Sequence, residues 1–232
     1  MASLSRISST PDLTEQVYQR LLYAICDGEL APGVRLTQED LAATLGVSRQ
    51  PVLQALLLLK KDGFVSDAGR RGLRVAPLEA SAITQVYEVR AVLDGLAARR
   101  AALAHAQLDP TIILEGRRAA AGPHIGLMID VDMRFHHLIY AASGNPFIAA
   151  TANQHWHHIR RAMGVVLQIV GLRRPVWDEH EAILQAVSSG EADRAEQLAR
   201  AHCEDAGRHI TAQLTRHVRT RPARRAAQAE LS

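Results

Sequence analysis

Cysteine is nearly missing from this chain: among its 232 residues only Cys26 and Cys203 occur. They lie far apart and without metal-type spacing, which argues against a disulfide framework or a cysteine zinc site. Aromatic residues are scarce as well, at 4%, while alanine and leucine abound, a balance that favours packed helices over sheets. No uncharged apolar run is long enough to span a bilayer, and the opening MASLSRISSTPDLT has no apolar signal core. The expected location is the cytoplasm, with no membrane partner. Neither sign of charge dominates: 27 Lys and Arg stand against 24 Asp and Glu, a net +3. That mild excess fits nucleic-acid binding, but the local distribution of charge decides. A hydrophobic share of 47% beside 22% charged residues excludes a disordered chain, and the length holds two modest domains or one large one.

What is present is organised around Leu36 to Leu59, LTQEDLAATLGVSRQPVLQALLLL. The stretch predicts two short helices with a tight turn at Leu45-Gly46-Val47. Thr37-Gln38-Glu39-Asp40 opens the first with a capping-box pattern, in which a hydroxyl satisfies a free backbone N–H. Ser48 is the expected N-cap of the second, and Pro51 is tolerated in a first turn whose N–H groups lack intrahelical partners. Leu41, Leu45, Val47, Val52, Leu56 and Leu59 fall at spacings that bury one shared seam. Arg49, Gln50, Leu53 and Gln54 then face away from it, as a helix-turn-helix presents residues to the major groove.

From Gly33-Val34-Arg35-Leu36 through Leu45-Gly46-Val47-Ser48-Arg49, Pro51-Val52, Ala55-Leu56, Leu59 and Gly63, the segment resembles the winged helix-turn-helix of GntR-family transcriptional regulators. The resemblance implies contacts to double-stranded operator DNA from Arg35, Ser48, Arg49, Gln50, Leu53 and Gln54. It breaks where the family has Arg-Glu before Ala-Leu and this chain has Leu53-Gln54; leucine reaches no phosphate, though it can pack on a thymine methyl. Farther on, Gly63 to Ser66 and Leu73 to Ala76 read as two short strands. The turn between them carries Arg70 and Arg71, expected at phosphate or the minor groove unless they are ordinary solvated surface.

The chain is therefore read as mainly α: a flexible start (1–10), a winged helix-turn-helix (11–76), a linker (77–78), an antiparallel all-α bundle (79–219) and a flexible basic tail (220–232). Helices are expected near 79–105, 109–120, 124–143, 146–169, 175–189 and 191–218, punctuated by Gly and Pro. Polar residues interrupt their apolar stripes. Asp132 and His136 project together from one helix, His180 sits on the stripe of the next but one, and His202 on that of the last. One core histidine is ordinarily hydrogen-bonded. Four buried polar groups on three helices cost several kcal/mol unless partnered, and one divalent ion satisfies all of them. His155 shares the stripe of Ile148, Ala152, Ile159 and Ala162, which makes it a candidate cavity residue. Arg90 shares the face of Ile83, Tyr87, Leu93 and Ala97, either paired with Asp94 or aimed at a ligand carboxylate.

The set Asp132-x-x-Phe135-His136-x-x-Ile139, Asn145-Pro146, Glu179-His180-x-x-Ile183-Leu184, Gly190 and His202 resembles the FCD ligand-binding domain of the FadR branch of those regulators. That resemblance implies a divalent ion, zinc foremost with nickel or manganese as alternatives, held by Asp132, His136, His180 and His202. It also implies a small organic acid effector gripped by Arg90, and a homodimer. The expected function is metabolite-responsive transcriptional regulation. The competing readings are a DNA-binding protein whose metal is purely structural and, in a different class, a metal-dependent enzyme, for which no general-base glutamate lies on the metal-bearing stripes.

Overall fold

Apolar residues at helical spacing organise nine helices and one small sheet among the described residues. The computed structural model describes residues 13–69, 72–169 and 176–229, with side chains up to residue 216 and Ile169 excepted. The chain divides between Pro77 and Leu78 into two units, each with its own core.

The first unit runs α1 (Leu13–Cys26), β1 (Arg35–Leu36), α2 (Gln38–Leu45), α3 (Arg49–Lys61), β2 (Val65–Asp67) and β3 (Leu73–Val75). Val17, Leu21, Leu22 and Ile25 of α1 pack in one cluster with Val52, Ala55, Leu56 and Leu59 of α3. Thr37 starts α2 as expected: its Oγ1 accepts a hydrogen bond from the Asp40 N–H at 3.1 Å. Gly46 ends that helix in the left-handed conformation (φ 66°), which only a residue without Cβ adopts freely. Ser48 holds the N-cap position of α3 with an extended backbone, yet its side chain makes no capping hydrogen bond. The hydroxyl expected to cap the helix is instead left exposed.

The sheet has three strands in the order β1-β3-β2, all antiparallel, with Arg35 opposite Arg74 and Arg74 opposite Ser66. The hairpin was expected; β1 was not. A two-residue strand has no period to read, and only the partner strand defines it.

The second unit consists of α4 (Ala80–Leu103), α5 (Thr111–Ala121), α6 (Ile125–Ala142), α7 (Pro146–Ile169), α8 (Val176–Ser188) and α9 (Ala192–Ala229). Its centre holds Phe135, Ile159, Trp177 and Ile183, all nearly inaccessible. The most extensive packing is between α4 and α9. There Gly207 lets the backbones close up, since a Cβ at that position would lie 2.7 Å from the Tyr87 Cβ. Where an end near 218 and a flexible tail were expected, α9 continues helical to Ala229. The expected flexible start at 1–10 lies outside the described residues. Among those described, no single helix is long and apolar enough to cross a membrane.

Candidate metal and ligand site, and the DNA-reading head

Three histidines converge in the second unit. His136 on α6, His180 on α8 and His202 on α9 are all buried, and one ring nitrogen from each lies within 4.8 Å of the other two. The Nε2 atoms of His180 and His202 are 3.2 Å apart. Asp132 reaches two of the three rings, with Oδ1 at 3.6 Å from His180 Nε2 and Oδ2 at 3.9 Å from His136 Nε2.

The outward nitrogens explain how the rings are oriented. His136 Nδ1 lies 2.8 Å from Asp94 Oδ2, and His202 Nδ1 lies 2.7 Å from Glu179 Oε2. A carboxylate accepts only, so each of these Nδ1 atoms carries the proton and each Nε2 turns a lone pair inward. Carboxylate-backed imidazoles of this kind are the usual outer support of a metal-binding histidine. His136 Nε2 has no hydrogen-bond partner although it is buried. Burial, aided by the Arg90 cation, pushes the His136 imidazole below its ordinary range despite Asp94. His180 is pushed down further, by burial and then by His202, His136 and Arg90. Burial thus favours the neutral form of His136 and His180. A donor set of convergent imidazole lone pairs with a flanking carboxylate fits a divalent ion.

Asp94 does more than the sequence suggested. Burial opposes its ionisation, but His136, Arg90 and the hydrogen bonds from His136 and Cys203 hold it well below the usual carboxylate range. It accepts from the Tyr140 hydroxyl, from Cys203 Sγ at 3.0 Å and from His136, and it stands 3.5 Å from Arg90 Nε. The internal Arg90–Asp94 pair is therefore present. Even so, Arg90 Nε and Nη2 are buried with no hydrogen bond, and the guanidinium lies over the Trp156 ring at 4.4 Å and the Tyr87 ring at 5.5 Å. Arg90, Asp132, His202 and His209 line one cavity of about 320 Å³ whose remaining wall is mostly apolar, a size that accepts a small metabolite.

His155 does not line that cavity. It is half-buried on α7, while the α7 residues that do line it are Met163, Val166 and Leu167. Eight residues separate His155 from Met163, roughly 12 Å along the helix axis, so a shared stripe placed it on the right face at the wrong height. Trp156 and Glu179 show no such role in the sequence. Trp156 reads as a core residue of α7, Glu179 as the neighbour of His180, and the contact each makes is across helices.

In the first unit Arg35, Ser48, Arg49, Gln50 and Gln54 are exposed and Leu53 is half-buried; Arg70 and Arg71 lie outside the described residues. The Arg49 guanidinium is engaged by Glu39 of α2 at 2.6 Å, with both side chains about two-thirds exposed (67% each). An exposed pair is worth at most about 1 kcal/mol, so a nucleic-acid acceptor can displace Glu39. Glu39→Gln should therefore raise affinity for a random duplex about 2- to 5-fold, matching that energy, and narrow the preference for a selected one. Fluorescence anisotropy on both duplexes checks this, and unchanged affinities would show the pair to be irrelevant.

A winged helix-turn-helix joined to a bundle that gathers three histidines and an arginine defines a DNA-binding regulator. Residues 13–75 match the family described as bacterial regulatory proteins, gntR family, and residues 85–205 match the FCD domain. The chain is 28% identical over 206 residues to the HTH-type transcriptional regulator YdhC of Bacillus subtilis (strain 168), covering 84% of this chain and 89% of YdhC. It is 27% identical over 176 residues to the Nta operon transcriptional regulator of Aminobacter aminovorans, covering 75% and 82%. A solved GntR transcriptional regulator from Rhodococcus sp. RHA1 superposes with a TM-score of 0.70 at 27% identity, over 85% of this chain and 96% of that one. McbR/YncC of E. coli shares the fold, with a TM-score of 0.68 at 23% identity, over 92% and 100%. The chain belongs to the GntR family, as a member with an FCD domain, and is a DNA-binding transcriptional regulator rather than an enzyme.

Proposed function

We propose that this regulator acts in the cytoplasm as a homodimer whose operator affinity is set by a small carboxylate bound beside a divalent metal. His136, His180, His202 and Asp132 would hold the ion, zinc foremost, with nickel or manganese accepted by the same donors. Operator contacts come from Arg35, Ser48, Arg49, Gln50, Leu53 and Gln54, with Arg70 and Arg71 on the wing. The observation that carries the ligand half is the inward lone pair on buried His136 Nε2, beside two further Nε2 atoms and an arginine with two unbonded nitrogens.

The metal would supply a Lewis-acidic anchor for one carboxylate oxygen. This chain supplies the rest: Asp94 and Glu179 keep the imidazole lone pairs inward, Trp156 and Tyr87 hold the guanidinium flat, and Arg90 offers its free N–H groups to the other oxygen. A ligand bridging α4 and the three metal-bearing helices favours one arrangement of the bundle. A difference of 1–3 kcal/mol between arrangements is the usual size of such coupling.

The test titrates purified protein of known metal content with a panel of small carboxylic acids, following melting temperature and release of a selected operator duplex. A metal near one per protomer and an acid that shifts both readouts support the proposal; metal without any acid response leaves a structural ion; no metal refutes it. Arg90→Lys should keep the metal while raising the acid concentration for half-release about 10- to 100-fold, because an ammonium cannot reproduce the planar fork and a charged hydrogen bond is worth about 1.5–3 kcal/mol. An unchanged midpoint would take Arg90 out of the ligand site.

A further inference from the structure

The winged sheet carries a second cationic feature besides the recognition helix. β3 is its central strand, and Arg74 in the middle of β3 is exposed, while Val75 beside it is buried. Antiparallel register sets Arg35 of β1 directly opposite Arg74 on one side and Ser66 of β2 directly opposite on the other. Cross-strand partners share a face of the sheet, so Arg35, Arg74 and Ser66 form one row.

Like charges at directly opposed positions destabilise a sheet unless something neutralises them. Nothing in this row does. Arg20, Arg49, Arg99, Arg117, Arg134 and Arg160 each pair with a carboxylate. Among the described residues Arg35 and Arg74 have no such partner. Asp67, the acid of β2, is occupied by Lys60 Nζ at 2.7 and 2.9 Å. Arg74 Nε donates to Ser66 Oγ at a long 3.4 Å, which leaves its terminal N–H groups available. The Arg35 Nε lies within 3.6 Å of where a Cβ on Gly72 would stand, so the side chain runs along the wing beside its glycine.

We propose that Arg74, with Arg35 and the Ser66 hydroxyl, grips a backbone phosphate of the operator, so that the face of the winged sheet is a sequence-independent DNA contact. Two guanidinium forks and a hydroxyl present donors to an anion with several acceptor oxygens, the geometry a phosphodiester satisfies. This rests on the reading of the first unit as the DNA-binding head. The row adds affinity without adding base preference, while Arg49 carries preference.

The experiment uses the full chain with a duplex selected from random sequence and a scrambled duplex of equal length, with Kd measured between 50 and 200 mM salt. Arg74→Ala should weaken both duplexes by the same factor and flatten the slope of log affinity against log salt by about 1; the double variant with Arg35→Ala should flatten it by about 2, as expected for lost phosphate contacts. Arg74→Lys should keep most of the slope. An unchanged slope, or a loss confined to the selected duplex, overturns the row. Arg49→Ala, run in parallel, separates the causes: if it abolishes the preference while Arg74→Ala changes nothing, only the row fails. If neither variant matters, the assignment of the head fails too.

Discussion

His180→Ala is expected to lower the metal affinity of the protein by more than about 100-fold, because loss of an outer hydrogen-bonding partner alone costs about 10- to 100-fold and His180 would be a ligand. The ring is fully buried, stacks on Phe135 at 4.1 Å between centroids and meets the edge of Trp177 at 4.6 Å. Its removal therefore also opens a cavity, and some loss of stability is unavoidable. His202→Ala separates the two effects, since His202 lines the ligand cavity and its ring lies against His136 and His180. Elemental analysis of both variants should show protein without stoichiometric metal, and acid titration should no longer release operator DNA. Full metal content in His202→Ala with intact helicity would take His202 out of the ligand set and place the ion outside the proposed four-residue site.

Gly116→Ala should be the most destabilising single change to the bundle that adds only a methyl group. A Cβ there would lie 2.1 Å from two atoms of the Trp177 indole and 2.2 Å from a third, where contact requires about 3.5 Å. Trp177 cannot yield. It is 1% exposed, with its ring set edge-on to Phe135 and to His180. Helix α5 must therefore move away from α8 by more than an ångström. Overpacking of this kind costs about 1–3 kcal/mol and more where nothing flexible gives way. At the upper end of that range, about 3 kcal/mol, and roughly 2–4 °C per kcal/mol for a chain of this size, melting should fall by about 6–12 °C. Because Trp177 braces His180, metal affinity should drop with it. A melting temperature within about 2 °C of the parent would mean that α5 and α8 are more loosely joined than their contact indicates.

Local pattern was enough for much of this protein. Thr37, Gly46 and the apolar seam mark the two helices of the head, because capping and turn chemistry act within a few residues. The breaks at Gly122-Pro123, Gly144-Asn145-Pro146 and Gly190 mark the ends of the bundle helices for the same reason. Asp132, His136, His180 and His202 stood out because a polar residue on an apolar stripe must end up inside.

Tertiary structure decided what periodicity cannot express. A stripe gives the face of a helix and says nothing about the height at which a neighbour crosses it, so His155 was placed in a cavity that α7 offers only two turns later. Glu179 lies beside His180 in sequence, yet supports His202 from another helix. Asp94 binds Arg90 as its spacing suggests, but its roles toward His136, Tyr140 and Cys203 exist only once α4, α6 and α9 have packed. The Arg35–Arg74–Ser66 row likewise depends on strand register, which brings distant residues opposite one another through backbone hydrogen bonds that no single strand contains.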